Sequence, residues 1–335
     1  MAHVGLALML EQFGPARALD LARAAETAGL SGLLAADVFQ PWIPAPNSSD
    51  DADRAPFMWN VLSAAAAHTS GPLGAVLTPN YRWHPAMIAQ ASATLAAMYP
   101  GRHWLGLSAG EALNDAITGA HWPRPPERID AMFEAADHIR KLLTNSAAGR
   151  DTRISGTHAR LEGARLWTLP PAPPKILIAT AGPLTARRAG RHADGFITMG
   201  GSLEKAATLM ERFTQGAREA GKDPGATLKV VRLHVSFAPS IEQATTAALR
   251  HWPQAAMRFN TSDLRSPFDV AQIAKLVRPE DFAGNLLITS DAGEIADLVR
   301  GYRGLGFDEV YLHNVGSNDE DWFAAVRAGI LPALR

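Results

Sequence analysis

A chain of 335 residues, 47% of them hydrophobic, is long enough to bury a sizeable core, and 32 basic against 33 acidic side chains leave a net charge of -1. Charges so evenly mixed exclude the basic stripe that a nucleic-acid surface needs, and the absence of cysteine excludes disulfides, thiol catalysis and cysteine-ligated metal centres. No apolar run reaches membrane-spanning length, and the chain opens on a strand-like segment rather than a charged leader with an apolar stretch, so a cytoplasmic protein without membrane contact is expected.

In chain order, short apolar runs at 4–9, 32–36, 73–77, 103–107, 175–179, 194–198, 228–237 and 309–313 predict eight strands. They lack strict alternation with polar residues, the pattern of strands covered on both faces in a parallel sheet. Amphipathic helices are predicted between them. Leu21, Ala24, Ala25 and Ala28 form one apolar stripe, and Ile295, Leu298, Val299 and Tyr302 form another at i, i+3, i+4 and i+7. Three of these helices run into a glycine (Gly29, Gly221, Gly306) expected to close them in the left-handed conformation. Eight strands with intervening helices predict a (β/α)8 TIM barrel in one domain. A Rossmann sheet is disfavoured, since no Gly-x-Gly-x-x-Gly follows the first strand. Insertions are expected near 41–56, 144–174 and 251–284.

In such a barrel the chemistry collects where strands end. The densest of these segments is Leu105-Gly106-Leu107-Ser108-Ala109-Gly110-Glu111-Ala112-Leu113-Asn114. The small Ala109 and Gly110 allow a flat ligand close to the backbone, and Glu111 can exchange a proton with it. Ser108 to Glu111 also fits a capping box, in which both side chains only satisfy helix amides. After the fifth strand, Ala179-Thr180-Ala181-Gly182-Pro183-Leu184-Thr185 presents backbone amides suited to a phosphate or carboxylate, or is an ordinary strand-to-helix turn. Asp37-Val38-Phe39-Gln40-Pro41-Trp42 offers an aspartate among aromatics that either meet a ligand ring or pack beneath the insertion. Glu11 follows the first strand, and Thr78 the third. His84 is expected to tie down a loop, and His313 to be a base or a satisfied wall histidine. No residue spacing supports a metal site.

These motifs, in this order, resemble the luciferase-like monooxygenase superfamily, and within it the coenzyme F420-dependent oxidoreductases related to F420-dependent glucose-6-phosphate dehydrogenase. The matching stretches are Glu11-Gln12-Phe13, Asp37 to Trp42, Val76-Leu77-Thr78-Pro79, His84-Pro85, Ile88-Ala89-Gln90-Ala91, Gly110 to Asn114, Gly182-Pro183 and Ala193-Asp194-Gly195-Phe196. The resemblance implies an insertion-bearing barrel, usually a homodimer, with a deazaflavin in its mouth and a small-molecule substrate beside it. It places coenzyme contacts at Asp37, Thr78, Ala109, Gly110 and Asn114. It places a bulge with a non-proline cis peptide at Ala75-Val76, and a phosphate-side loop at Ala181, Gly182, Leu184 and Thr185. Glu111 falls on the family's acidic residue near the ring, with Glu11 and Trp42 beside the substrate. Two departures stand out. The histidine that takes the substrate's hydroxyl proton in the glucose-6-phosphate enzymes is Val38 here, and the cationic phosphate clamp reads Ser202, Thr261 and Asn285. A substrate other than glucose 6-phosphate is therefore expected. An FMN-dependent reductase or monooxygenase and a coenzyme-binding protein without catalysis are the alternatives.

Overall fold

In the computed structural model, residues 3–44, 54–257 and 259–335 are described. The strands are β1 (His3–Leu8), β2 (Leu33–Ala36), β3 (Leu73–Leu77), β4 (His103–Leu107), β5 (Thr152–Ser155), β6 (Arg160–Ala164), β7 (Lys175–Ala179), β8 (Gly195–Met199), β9 (Leu228–Phe237), β10 (Leu287–Thr289) and β11 (Glu309–Asn314). Eight of them close on themselves in the order β9-β11-β1-β2-β3-β4-β7-β8, with β8 pairing back to β9. Every pairing round the ring is parallel. The structure is thus the expected (β/α)8 barrel, and its eight staves coincide with the eight predicted strands to within a residue or two.

Two-sided burial explains why the strands do not alternate. Leu6, Leu8, Leu33, Ala35, Leu105, Leu107, Ile176, Ile178, Val231, Leu233, Val310 and Leu312 face the surrounding helices. Their neighbours of opposite parity, Ala7, Leu34, Trp104, Leu177, Ile197, Val230 and Tyr311, fill the inside of the ring. Trp104 occupies the floor, where a Cβ on Gly74 would lie 2.3 Å from its ring, so that stave has to be glycine. The indole Nε1 of Trp104 donates to Glu309 Oε2 at 2.9 Å, and Tyr311 donates its hydroxyl to the same oxygen at 2.7 Å. Trp104, Tyr311 and Glu309 thus fill the lower end of the barrel, and the opposite rim is the side left for a ligand.

The helices follow the predicted stripes. Pro15–Ala28 buries Leu21, Ala25 and Ala28, and Ala292–Gly304 buries Ile295, Val299 and Tyr302. Gly29, Gly221 and Gly306 all adopt positive φ after their helices, at 93°, 69° and 93°. Among the described residues no helix is long and apolar enough to cross a membrane.

Two features of the insertions escape the sequence pattern. The 144–174 segment carries the antiparallel β5–β6 hairpin, whose turn is held by the Glu134 carboxylate accepting from the amides of Thr157, His158 and Ala159 at 2.8, 2.7 and 3.0 Å. The 251–284 segment forms short helical turns and leads into β10, which pairs with the last residues of β9 on the edge that β8 leaves after Arg232. Of the insertion expected at 41–56, residues 45–53 lie outside the described residues.

The cis peptide expected at Ala75-Val76 is absent: no cis bond occurs among the described residues. The bulge is absent too. Ala75 and Val76 stay in register with Ala35 and Ala36 on one side and with Leu105 and Gly106 on the other. An unbroken ladder on both edges leaves no room for an extra or reversed peptide unit.

Candidate functional site

At the rim, β2 is followed by Asp37, whose amide donates to Val76 O at 2.8 Å, tying its segment to the end of β3. The carboxylate is buried. Its Oδ2 accepts from Arg82 Nη2 at 2.6 Å and from Trp83 Nε1 at 2.7 Å, while Oδ1 has no partner. Arg82, its side chain only 7% exposed, also reaches Asp115 Oδ1 at 3.4 Å, so one guanidinium serves two buried carboxylates. Burial raises both carboxyls above their ordinary values, and Arg82 opposes the rise at each.

The segment after β4 decides between the two readings of Ser108 and Glu111. The capping box is not formed. Ser108 pairs its hydroxyl with Thr78 at 2.9 Å, and the short helix Ala112–Asp115 starts one turn later with Glu111 itself as the N-cap residue, without a side-chain bond. Asp115 does the capping instead, accepting from the Glu111 amide at 3.0 Å. Gly110 has φ 80°, and a Cβ there would sit 2.5 Å from Thr78 and 2.6 Å from Asp115. Its smallness is thus needed for the turn itself. The Glu111 carboxylate is left with no hydrogen bond among the described residues. Burial, then the nearby Asp115 charge, push its carboxyl up to about 7, against the pull of Arg232 and Arg128.

The inner face of the barrel adds residues that stand in none of the sequence motifs. Arg232 and His234 lie on β9 at the same parity as the inward Val230, and His313 lies at the parity of the inward Tyr311 on β11. Arg232, His234 and Ser236, polar residues spaced by two among apolar ones, are a legible sign of a shared face. The Arg232 Nε is buried without a partner, and its charge lowers the pKa of both Glu11 and Glu111. His234 and His313 face each other Nδ1 to Nδ1 at 2.8 Å, and His313 Nε2 meets Gln12 Oε1 at 2.6 Å. Trp252 packs on both imidazoles, at 4.9 and 4.8 Å between ring centres.

Glu11 sits in the turn after β1, 4% exposed, with Oε2 buried and unpartnered. Burial pushes its carboxyl up to about 6 from an ordinary 4.5. Because the folded state holds this proton more tightly than the unfolded chain, stability is full below about pH 4.5 and falls as pH rises through 6. The shift corresponds to about 2 kcal/mol. Glu11→Gln, which mimics the protonated form, is expected to match the parent in stability near pH 4.5 and exceed it at pH 8, as read by urea unfolding at both values.

Other predicted residues are placed as follows. The side-chain Oδ1 of Asn114 accepts from the backbone amides of Phe39 and Gln40 at 2.7 and 3.1 Å, so it holds the segment behind Asp37. Trp42 is buried with Leu113 and with Val270 of the helix Pro267–Ala274, so much of its ring packs beneath the insertion. Val38 is buried and brings no titratable group. Ala181 to Thr185 form the exposed approach to the helix Pro183–His192, with Leu184 83% exposed and open space beside Gly182. Gly182 N donates to Thr180 Oγ1 at 3.2 Å. Ser202 caps the helix Leu203–Glu219, Thr261 lies in the third insertion and Asn285 precedes β10. His84 ties down a loop as expected: it accepts from Ala86 N at 3.2 Å and pairs with Arg160 O at 3.1 Å. The third insertion closes on the same rim through Ala112 N donating to Ser262 O at 2.8 Å and through the ion pair of Arg128 with Asp263 at 3.2 Å. The rim thus carries an unpartnered Oδ1 at Asp37 and an unbonded carboxyl at Glu111, with a buried Arg232 whose Nε has no partner.

Known proteins share this architecture along its whole length. A structure of an F420-dependent secondary alcohol dehydrogenase in complex with an F420–acetone adduct superposes with a TM-score of 0.90 at 27% identity, covering 100% of this chain and 99% of that one. The F420-dependent tetrahydromethanopterin reductase of Methanopyrus kandleri shares the fold, with a TM-score of 0.78 at 19% identity over 100% and 99% of the two chains. By sequence, an F420-dependent glucose-6-phosphate dehydrogenase of Nakamurella multipartita is 33% identical over 97% of this chain and 94% of its own. The Mycobacterium tuberculosis protein of the same name is 31% identical over 99% and 98%. The sequence pattern of the luciferase-like monooxygenases matches residues 1–309. On that match and the end-to-end relatives, the chain belongs to the luciferase-like monooxygenase family.

Proposed function

We propose that this protein is an F420-dependent oxidoreductase acting on a small organic substrate other than glucose 6-phosphate. The observation that carries the reading is the Glu111 carboxyl, free of hydrogen bonds at the barrel mouth and held to about 7, in the range where a group both gives and takes protons at neutral pH. A deazaflavin supplies hydride chemistry when bound; the protein supplies position and proton management. The residues present fit such a group. Asp37 Oδ1 is a buried acceptor free to take a ring donor, and Gly106, next to the end of β4, leaves room beside Val76. The exposed turn from Ala181 to Thr185 suits an anionic tail at the start of a ten-residue helix. Thr78, Ala109, Gly110 and Asn114 complete the seat by fixing its backbone, and Glu11 with Trp42 bounds the substrate side.

Exclusion of glucose 6-phosphate rests on side-chain chemistry. Val38 cannot move a proton, and Ser202, Thr261 and Asn285 carry no charge to neutralise a phosphate. A homodimer is proposed on the family resemblance alone. Calorimetric titration with F420 and, separately, with FMN tests the coenzyme: saturable F420 uptake that FMN does not match is expected. Failure of F420 to bind would remove the proposal, and preferential FMN binding would replace it with a flavin enzyme.

A further inference from the structure

We infer that His234 presents a fixed, unprotonated Nε2 to the substrate, so that the mouth selects compounds offering a neutral hydroxyl donor at that point. This rests on the oxidoreductase reading for the word substrate, but the state of His234 follows from hydrogen-bond logic applied to two neutral rings. The chain starts at the Val315 carbonyl, which can only accept. Gln12 donates to it through Nε2 at 3.3 Å, which fixes the amide so that its Oε1 faces His313. That oxygen is also only an acceptor, so the proton on the 2.6 Å bond belongs to His313 Nε2. A neutral imidazole carries one proton, which leaves His313 Nδ1 bare. The 2.8 Å contact between the two Nδ1 atoms then needs its proton from His234. His234 has spent its one proton, and its Nε2 is a lone pair with no protein partner among the described residues.

The surroundings keep the pair neutral. Both rings lie beside Arg232 and against Trp252, and Glu11 and Glu111 meet the same Arg232 from other elements. Burial holds His313 down to about 3 and His234 well below its ordinary value, with Arg232 adding to both effects. Protonation therefore does not convert the acceptor into a donor across neutral pH. A bare ring nitrogen bonds an O–H and repels a carbonyl oxygen, whose lone pairs face its own. Arg232 disfavours a cationic substrate at the same place. The alcohol member of an alcohol–carbonyl pair is thus the better partner of His234, and Glu111 remains the group that exchanges protons.

The test is heteronuclear NMR of the full chain labelled with 15N-histidine, without coenzyme, so its outcome does not depend on the F420 titration. Rings are assigned with His234→Gln and His313→Gln. His234 is expected as the Nδ1–H tautomer and His313 as the Nε2–H tautomer, both unchanged between pH 5 and pH 8. Cyclohexanol is expected to move the bare Nε2 of His234 toward the value of a hydrogen-bonded nitrogen, and cyclohexanone to leave it in place. Gln12→Leu, which removes the acceptor that orders the chain, is expected to give mixed tautomers at both rings. A proton on His234 Nε2, or a bare Nε2 unmoved by cyclohexanol up to its solubility, overturns the inference. If the tautomers are as stated while F420 fails to bind, the oxidoreductase reading fails and the ordered acceptor stands.

Discussion

Glu111→Gln is expected to lower kcat by about 10²–10⁴-fold, the usual worth of a positioned proton-transfer group, while coenzyme affinity stays unchanged. The amide keeps the shape of the side chain and leaves the turn intact, because the carboxylate holds no structural hydrogen bond: Ser108 bonds Thr78, and Asp115 caps the helix. Binding measured by calorimetry and turnover measured by coenzyme absorbance should therefore separate. The pH profile adds a sign. With Glu111 held to about 7, activity that needs the carboxylate as base rises through that value, and activity that needs the acid falls through it. Substrate oxidation gives the first limb and reduction the second. In either direction the limb should vanish in Glu111→Gln. A variant that keeps parental turnover would remove Glu111 from the chemistry.

Arg82→Leu has the largest expected effect on stability, a loss of about 3–5 kcal/mol, the range measured when one partner of a buried ion pair is removed. The arginine is enclosed, and it is the cation between Asp37 and Asp115, both nearly inaccessible to water. Without it two carboxyls have to stay buried unpaired or take up protons. Urea unfolding should show a lower midpoint with little change in slope, and the deficit should grow with pH as the stranded carboxyls are forced to ionise. Adding Asp37→Asn and Asp115→Asn to Arg82→Leu should restore part of the loss. A single variant as stable as the parent at pH 8 would show that the cluster is not held by charge.

The sequence made most of the scaffold legible, for a physical reason. Strands covered on both faces and helices with one apolar stripe leave periodic signatures, and Gly29, Gly221 and Gly306 mark helix ends because left-handed backbone favours glycine. β10 left no such mark because it is only three residues long. The β5–β6 hairpin is polar on its exposed side and owes its turn to Glu134, some twenty residues earlier in the chain. Local pattern does not carry an interaction of that range.

At the site, Glu111 and Asp37 could be singled out from sequence because they follow strand ends among small residues. Their states could not. Whether Ser108 caps a helix depended on Thr78, which becomes its neighbour only when β3 and β4 pair, while the Glu111 amide went to Asp115 one turn on. Arg232 and His234 carried the inward parity of their strand, yet their meaning came from His313 and Gln12 on other staves. Composition and periodicity thus determined that the chain closes into a barrel, because burial of apolar surface is read residue by residue. Tertiary structure alone decided which carboxyl is left free, which arginine Nε is left without a partner and which ring nitrogen is left bare, because protonation and hydrogen bonding depend on groups from different strands that only the paired barrel brings within 3 Å of each other.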